Sequence, residues 1–334
     1  MARVLVTGGA GFIGSHLCEK LIDSGHHVVA IDNFRVGRLS NLKDIESKDF
    51  EVYEIDITDG ESLSALFSRR EFDLVFHLAA LADIVPSIQN PVDYFETNVN
   101  GTLKILELCR DRKIRKFVYA ASSSCYGIPN VYPTPETAEI KPEYPYALTK
   151  YLGEELVLHW GKVYNLPVIS LRLFNVYGPR ARTSGTYGAV FGVFLAQKLA
   201  GKPFTIVGDG NQTRDFTYVS DVAEAFISAS NSNITGEIFN VGSGGSYSIN
   251  ELVDMLGGDR IHIPKRPGEP DCTFAEISKI RKDLSWGPRV TFRSGVKTLL
   301  SDLSEWSSSP VWTPESIGIQ TEAWFKFLSK KGLN

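Results

Sequence analysis

Three side chains in the middle of the chain could together move a proton: the hydroxyl of Ser122, the phenol of Tyr146 and the ammonium group of Lys150. Tyr146 and Lys150 are four positions apart in a segment with a helical pattern, so they share one face of the helix. A phenol is a weak base at its ordinary pKa of about 10. A nearby ammonium lowers that pKa, which would make the pair usable as an acid or a base near neutral pH. An isolated Tyr/Lys pair is more often a solvated surface pair, so this interpretation depends on the rest of the chain.

A glycine-rich segment near the start has the spacing of a phosphate-binding turn. Gly8, Gly11 and Gly14 follow a short apolar strand pattern and precede a helical one. The first glycine permits a tight turn, the second lets the backbone approach a pyrophosphate, and the third lets the helix pack closely on the strand. Free N–H groups at the start of the helix would face the phosphates. Glycine turns are common, so the triplet alone does not separate this function from an ordinary turn.

An acid downstream indicates which dinucleotide would bind. Asp32 ends the second strand pattern, at the distance from the glycines expected for a ribose-binding acid. Its carboxylate would accept hydrogen bonds from the adenosine ribose and repel a 2′-phosphate, so the sequence predicts NAD and not NADP. Asp56 and Ile57 follow the third strand and could contact the adenine, or simply end a strand. The expected cofactor contacts are Gly8, Gly11, Phe12, Ile13, Gly14, Asp32, Asn33, Asp56, Ile57, Leu78, Ala79, Ala80, Asn98, Tyr146 and Lys150.

The elements that position these residues alternate between strands and helices, which predicts an α/β fold with a Rossmann-type doubly wound parallel sheet. Ser122, Ser123 and Ser124 follow the fifth strand at its carboxyl end, where ligands bind in such sheets, although serines before a glycine are also a common loop composition. His77 lies within the fourth strand and is expected to be a hydrogen-bonded core histidine. The strand patterns cover residues 4–6, 27–32, 51–57, 74–80, 116–121 and 168–173.

Two helical segments bear on the site. Residues 91–109 predict one helix with Asn98 on its buried side, where an amide needs partners. Near the end of the chain, Thr313, Pro314 and Glu315 are typical of an N-cap and first turn. We expect the following helix to pack on the core, with a subunit contact as the alternative. Its apolar residues are Ile317, Ile319, Ala323, Trp324, Phe325, Phe327 and Leu328.

Composition limits the classes of partner. The net charge of −4 argues against nucleic acid as a partner, and the lack of a long apolar segment leads us to expect neither a membrane span nor a signal peptide. Four scattered cysteines have no metal-ligand spacing, so we expect no metal and a cytoplasmic location.

No clean linker divides the chain. We expect an NAD-binding domain over 1–175 that takes in later segments, a smaller C-terminal α/β substrate lobe over 176–306, and a helical extension over 307–334. In the lobe, Arg214 and Arg266 suit a diphosphate, although surface ion pairing is the default for such arginines.

Together these motifs resemble the extended short-chain dehydrogenase/reductase family, and within it the NAD-dependent nucleotide-sugar epimerases. The resemblance covers about residues 3–287. It rests on TGGAGFIG at 7–14, NVNGT at 98–102, NVYGPR at 175–180, and Ser122 with Tyr146 and Lys150. The subgroup that the chain resembles most contains the UDP-hexose and UDP-N-acetylhexosamine 4-epimerases.

The resemblance implies a role for each candidate residue. Tyr146 removes the proton of the sugar 4-hydroxyl, Ser122 is the catalytic hydroxyl, and Lys150 holds the nicotinamide ribose. Hydride leaves C4 for NAD, the 4-keto sugar turns over, and hydride returns to the opposite face. The lobe over 176–306 would mainly bind the nucleotide sugar, and the family usually forms homodimers through two helices, here about 98–109 and 150–160. The implied substrate contacts are Ser122, Ser123, Ser124, Asn175, Val190, Arg214, Arg266, Glu269 and Thr273.

Local details separate the reactions found in this family. Related 4,6-dehydratases have Asp-Glu after the catalytic hydroxyl and UDP-glucuronate decarboxylases have Ser-Glu, whereas this chain has Ser123 and Ser124, which favours epimerisation. Thr273 stands where a bulky tyrosine excludes 2-acetamido sugars, so N-acetylhexosamines should be tolerated. Glu269 replaces the Asp of many relatives at the position that binds the uridine ribose. The alternatives are a nucleotide-sugar decarboxylase, dehydratase or ketoreductase, or a non-catalytic NAD-binding protein.

Overall fold

The computed structural model describes residues 1–181 and 189–329, and at its centre is a parallel sheet of seven strands. The strands are β1 (Arg3–Thr7), β2 (His27–Asp32), β3 (Phe50–Glu54), β4 (Leu74–His77), β5 (Lys116–Ser122), β6 (Val168–Leu173), β7 (Asn175–Tyr177), β8 (Phe204–Val207), β9 (Thr213–Arg214), β10 (Phe216–Tyr218), β11 (Glu237–Val241), β12 (Tyr247–Ser248) and β13 (Arg260–Ile263). The helices are α1 (Phe12–Asp23), α2 (Gly60–Arg69), α3 (Ile84–Gln89), α4 (Pro91–Phe95), α5 (Thr102–Arg110), α6 (Pro145–Tyr164), α7 (Val190–Leu199), α8 (Val219–Asn231), α9 (Ile249–Leu256), α10 (Ser278–Leu284), α11 (Phe292–Ser301) and α12 (Pro314–Leu328).

The order of the strands confirms the Rossmann-type α/β fold. Their spatial order is β11-β6-β5-β4-β1-β2-β3, and each neighbouring pair is parallel. The order reverses direction at β1, so the loops after β1 and β4 diverge there and leave a crevice at the carboxyl ends of the strands. The edge strand β11 comes from the later part of the chain. The short pairs β8–β13, β7–β10 and β9–β12 lie outside the central sheet.

Three clusters of buried apolar side chains stabilise this arrangement. One face of the sheet packs against Leu17 of α1 and Phe226 of α8, and the other against Ile105 of α5 and Val157 of α6. The third cluster joins α7, β8 and α9 in the later part of the chain and includes Phe194. Both faces of the central strands are therefore covered, as their continuous apolar sequences require.

Two strands end earlier than their apolar patterns predict, and both ends lie beside the cleft. β3 ends at Glu54 because Asp56 begins a turn in which its carboxylate accepts a hydrogen bond from the amide of Thr58 (2.8 Å). β4 ends at His77 because the hydroxyl of Thr7 accepts hydrogen bonds from the amides of the next two residues (3.2 and 3.1 Å). Side-chain acceptors thus bind backbone amides just beyond the end of each strand.

His77 is the core histidine that its strand predicts. Its ring nitrogens lie 2.7 Å from the hydroxyl of Thr7 and 2.9 Å from that of Thr102. Burial lowers the pKa of His77 to about 3, so the ring is neutral. No helix in the described part of the chain is long and apolar enough to cross a membrane.

The predicted helix over 91–109 is interrupted. A π-helical segment, Glu96–Gly101, separates α4 from α5 and carries Asn98, which is fully buried. Such wide turns recur at functional sites because they redirect one or two side chains.

The C-terminal helix begins where its capping residues predict, but it buries fewer residues than expected. The Thr313 hydroxyl accepts a hydrogen bond from the amide of Ser316 (3.2 Å), and Pro314 is the first helical residue. Trp324 is 3% exposed, whereas Ile319 and Phe327 are 67% and 63% exposed, so their expected packing is wrong. The helix contacts α3, and its buried residues, Ile317, Thr321 and Trp324, recur every three or four positions and form one face.

Candidate active site

A cleft of about 690 Å³ runs along the carboxyl ends of the central strands. At one end its wall includes Gly8 after β1 and Asp32 at the end of β2. The middle is lined by Ser122, at the end of β5. At the other end the wall contains Arg214 of β9 and Glu269. One continuous space therefore joins the predicted dinucleotide turn, the predicted proton-transfer group and the predicted anion-binding residues.

The glycine turn is packed so tightly that side chains could not replace its hydrogens. Gly8 has a φ of +70°, and a Cβ there would lie 2.8 Å from the backbone nitrogen of Ala79. A Cβ at Gly14 would lie 2.1 Å from the carbonyl oxygen of Gly8. Gly11 is the N-cap of α1, and no side chain of the described residues caps this helix. The first amides of α1 are thus available to a phosphate.

Asp32 is held at the cleft wall by backbone amides. Its carboxylate accepts hydrogen bonds from the amides of Ala10 (3.0 Å) and Phe34 (2.9 Å), and the residue is 8% exposed. Burial raises the pKa of Asp32, and these amide hydrogen bonds oppose the rise because they stabilise the carboxylate. A Cβ at Gly37 would lie 2.6 Å from this carboxylate, so the loop after β2 packs directly on it.

Most of the predicted cofactor contacts line the cleft, and two do not. Those on its wall are Gly8, Gly11, Phe12, Ile13, Gly14, Asp32, Asn33, Ile57, Leu78, Ala79, Ala80, Tyr146 and Lys150. Asp56 lies behind Asn33, whose side-chain amide donates to its carboxylate (2.7 Å). Asn98 lies behind Leu81: its amide exchanges two hydrogen bonds with the backbone of Leu81 (2.8 and 2.9 Å) and donates a third to Thr149 (3.0 Å). Both side chains therefore shape the wall from behind it.

Two of the residues predicted to transfer a proton meet in the middle of the cleft. The phenol of Tyr146, in the first turn of α6, donates to the hydroxyl oxygen of Ser122 (3.2 Å). The hydroxyls of Ser122 and Ser124 are 2.8 Å apart, and the amide of Ser124 also donates to Ser122 (3.2 Å). The 3-10 turn after β5 thus fixes the serine hydroxyl against the phenol, although 24 positions separate the two residues.

The pKa values differ from the expectation that the lysine makes the phenol more acidic. Burial raises the pKa of Tyr146, and the hydrogen bond to Ser122 offsets only part of that rise. Burial also lowers the pKa of Lys150 to about 7, since the residue is only 4% exposed. Its Nζ lies 4.3 Å from the centre of the Tyr119 ring. In this form of the protein the pKa of the phenol is therefore raised and not lowered, because burial disfavours the charged phenolate.

At the far end of the cleft an acid lies between two arginines. Glu269 accepts from Arg214 (2.8 Å) through Oε1, and its Oε2 is 3.7 Å from Arg266. Among the described residues, this buried Oε2 has no hydrogen-bond partner. A buried carboxylate oxygen without a donor suits a ligand hydroxyl, and the neighbouring guanidinium groups suit a ligand phosphate.

Every predicted substrate contact lies on the cleft wall: Ser122, Ser123, Ser124, Asn175, Val190, Arg214, Arg266, Glu269 and Thr273. Thr273 does more than limit the size of the pocket. Its hydroxyl accepts from the amide of Asp215 (3.0 Å) and donates to the side-chain oxygen of Asn175 (2.7 Å). The hydroxyl therefore fixes the orientation of the Asn175 amide.

The cleft also contains residues that the sequence motifs did not indicate, among them Asp83, Tyr144, Trp312 and Trp324. Tyr144 is two positions before Tyr146, and their rings stack at 6.3 Å with an angle of 11°. Because Tyr144 is so close in sequence to Tyr146, the sequence could have identified it as a residue of the cleft. The two tryptophans come from the C-terminal extension, and nothing in the local sequence distinguishes them from core residues.

The residues at the first end fit NAD, since a tight glycine turn, an uncapped helix N-terminus and a buried carboxylate acceptor are the groups that bind its pyrophosphate and ribose. Among the described residues, no group of three or more His, Cys, Asp or Glu side chains could hold a metal ion.

Comparisons with known proteins agree with this geometry. A family model described as the NAD dependent epimerase/dehydratase family matches residues 4–242. The chain is 38% identical over 305 residues to a putative UDP-glucose 4-epimerase of Methanocaldococcus jannaschii, covering 89% of this chain and 97% of that protein. It is 35% identical to a UDP-N-acetyl-alpha-D-glucosaminuronate decarboxylase of Bacillus cytotoxicus, covering 88% and 95%.

Among solved structures, the chain is similar to UDP-glucuronic acid 4-epimerase from Bacillus cereus in complex with UDP-glucuronic acid and NAD. The TM-score is 0.84 at 35% identity, with 91% of this chain and 99% of that chain covered. The fold, the cleft and these similarities show that the chain belongs to the NAD-dependent epimerase/dehydratase family of extended short-chain dehydrogenases/reductases, with NAD as its cofactor.

Proposed function

We propose that the protein epimerises a UDP-hexose at C4. The candidate substrates are UDP-glucose/galactose, UDP-N-acetylglucosamine/galactosamine and a UDP-uronate. The observation that carries the proposal is the hydrogen bond between Tyr146 and Ser122 (3.2 Å), midway between the NAD end of the cleft and the Arg214–Glu269–Arg266 cluster. The similarity to 4-epimerases supports the same reaction.

Each residue has a defined task in this reaction. Bound NAD supplies a reversible hydride acceptor for C4 of the sugar. Tyr146 takes the proton from the 4-hydroxyl and later returns it, and Ser122 holds both the phenol and the sugar oxygen through its hydroxyl. The charge on Lys150 stabilises the phenolate when it forms. Arg214 and Arg266 hold the diphosphate, so the nucleotide stays bound while the keto sugar presents its other face.

A decarboxylase acting on a UDP-uronate is the second candidate. A decarboxylase is among the relatives, and the carboxylate of Asp83 lies in the same cleft as Tyr146. Against this reaction, the two residues after Ser122 are serines, and Ser124 is hydrogen-bonded to Ser122. A decarboxylase of this family has a glutamate two positions after its catalytic hydroxyl, and this chain has a serine there.

Product analysis by NMR separates these reactions. The protein, supplied with NAD, is incubated with UDP-glucose, UDP-N-acetylglucosamine and UDP-glucuronate in separate samples, and Tyr146→Phe serves as the matched control. We expect a C4 epimer from at least one substrate and none from the variant. Release of carbon dioxide or net reduction of NAD without any C4 epimer would refute epimerisation, and an equally active Tyr146→Phe would refute the assigned proton transfer.

We also propose that the protein is a homodimer. Apolar side chains are exposed on or beside the helices that pair in the resembling family: Leu148 (43%) and Tyr164 (41%) lie on α6, and Phe95 (44%) lies just before the segment 98–109. Sedimentation of the purified chain should give twice the mass of one chain. A Leu148→Glu variant should shift it to the mass of a single chain, and a wild-type chain that sediments as a monomer would contradict the proposal.

A further inference from the structure

The C-terminal helix α12 forms a wall of the cleft at its substrate end. Trp324 is the deeply buried aromatic residue of this helix, at 3% exposure, and it lines the cleft together with Trp312 just before the helix. The extension is attached at its start by the buried Gln197 of α7, whose side-chain amide donates to the carbonyl oxygen of Trp312 (2.8 Å). The helix α12 also packs against α3. The helix is therefore held in one position relative to the cleft.

Trp324 contacts the segment that carries two of the anion-binding residues. Its indole N–H donates to the carbonyl oxygen of Pro267 (2.6 Å). The guanidinium carbon of Arg266 lies 5.4 Å from the centre of the indole ring, within the range of a cation–π interaction. A Cβ at Gly268 would lie 4.0 Å from a methyl group of Leu328, one turn further along α12. Residues 266–268 therefore rest on this helix.

The same indole also contacts the proton-transfer side of the cleft. Its ring centre is 6.2 Å from that of Tyr144, with an angle of 52° between the rings. Tyr144 in turn stacks on Tyr146 at 6.3 Å. Trp324 thus lies between the arginine that faces the substrate anion and the aromatic pair that contains the catalytic phenol.

We propose that Trp324 is a positioning residue for substrate binding: its indole holds the Arg266 guanidinium and the Pro267 backbone in the geometry that binds the substrate diphosphate. This inference rests on the proposed nucleotide-sugar function for the identity of the anion. A long flexible arginine side chain loses conformational entropy when it binds an anion, and an aromatic face that already orients it reduces that cost. The extension is then part of the active site and not a packing appendage.

Isothermal titration with UDP, in the NAD-loaded protein, tests this role. Trp324→Phe keeps an aromatic ring and loses the N–H donor, Trp324→Ala loses both, and Ile319→Ala changes an exposed residue of the same helix. We expect about threefold weaker UDP binding for Trp324→Phe and about tenfold or more for Trp324→Ala, from the loss of a hydrogen bond and a cation–π contact. Ile319→Ala should bind UDP as the wild type does. In turnover assays KM should rise more than kcat falls.

A double-mutant cycle with Arg266→Ala separates positioning from general packing. If Trp324 acts through Arg266, Trp324→Ala should weaken UDP binding far less in the Arg266→Ala protein than in the wild type. Equal losses in both backgrounds, or unchanged UDP affinity in both Trp324 variants, would overturn the inference. Should Trp324→Ala fail to fold, Trp324→Phe carries the test. A wild-type protein that does not bind UDP would instead refute the proposed function.

Discussion

Replacing Lys150 with methionine should stabilise the NAD-free protein, by an amount that depends on pH. Lys150 is 4% exposed, and burial lowers its pKa from the ordinary 10.5 to about 7. Between these two values the unfolded chain binds one more proton than the folded chain does, so this lysine makes the wild type more stable as the pH rises. Below the lower value both states are protonated, and the cost of burying the charge is constant.

The size of the effect follows from the two pKa values. The difference between the folded and unfolded pKa values means that Lys150 lowers the free energy of unfolding by about 4 kcal/mol at pH 7 and by about 2 kcal/mol at pH 9. Lys150→Met removes this cost, so its advantage over the wild type should shrink by about 2 kcal/mol across that interval. The methionine also adds apolar contact, which changes the free energy of unfolding by an amount that does not vary with pH. The test is therefore how the difference in unfolding free energy between variant and wild type changes with pH, and not its absolute size.

Urea unfolding of both NAD-stripped proteins at several pH values in this interval measures this change. Lys282→Met, which changes an exposed lysine of α10, is the matched control, and its free energy of unfolding should vary with pH as that of the wild type does. A difference between Lys150→Met and wild type that stays constant with pH would mean that Lys150 keeps an ordinary pKa in the fold. The desolvation argument would then be wrong. Catalytic turnover should be lost in Lys150→Met at all pH values.

Three further changes have defined outcomes. Asp32→Asn should lower the amount of NAD retained after gel filtration, because a neutral amide is a weaker acceptor for the ribose hydroxyls; unchanged NAD content would contradict the assigned contact. Arg172→Met should cost about 3–5 kcal/mol in urea unfolding, since it leaves the buried Glu154 carboxylate without its partner at 2.6 Å. Thr273→Val should raise KM several-fold with little change in Tm, because the Asn175 amide loses the hydroxyl that orients it; an unchanged KM would show that this hydrogen bond is dispensable.

The parts of the site that sequence could predict are those whose chemistry is local. The glycine turn follows from residues within a few positions of one another, and the N-cap at Thr313 follows from three consecutive residues. The placement of Tyr146 and Lys150 one turn apart on the same helix follows from helical spacing. The doubly wound parallel sheet was also predictable, because alternating strand and helix patterns allow few topologies.

Other features of the site have no local pattern. The cofactor contacts of Asp56 and Asn98 stay predictions, and the fold gives their side chains protein partners, Asn33 and the Leu81 backbone, that the sequence did not indicate. The C-terminal helix was expected to pack on the core, with a subunit contact as the alternative, and Ile319 is exposed because the buried face of α12 is formed by Ile317, Thr321 and Trp324. In each case the deciding factor is which element lies opposite the side chain.

The sequence by itself determined the Rossmann fold and NAD as the cofactor, and it indicated candidate residues for proton transfer, because turn chemistry, strand periodicity and helical spacing act over short distances. Only the tertiary structure decided how those residues work. It brings Ser122 within 3.2 Å of Tyr146, buries Lys150 until its pKa falls to about 7, and sets Trp324 against Arg266. Distance across the fold and burial arise from packing between segments far apart in the chain, and these quantities determine the strength of each interaction.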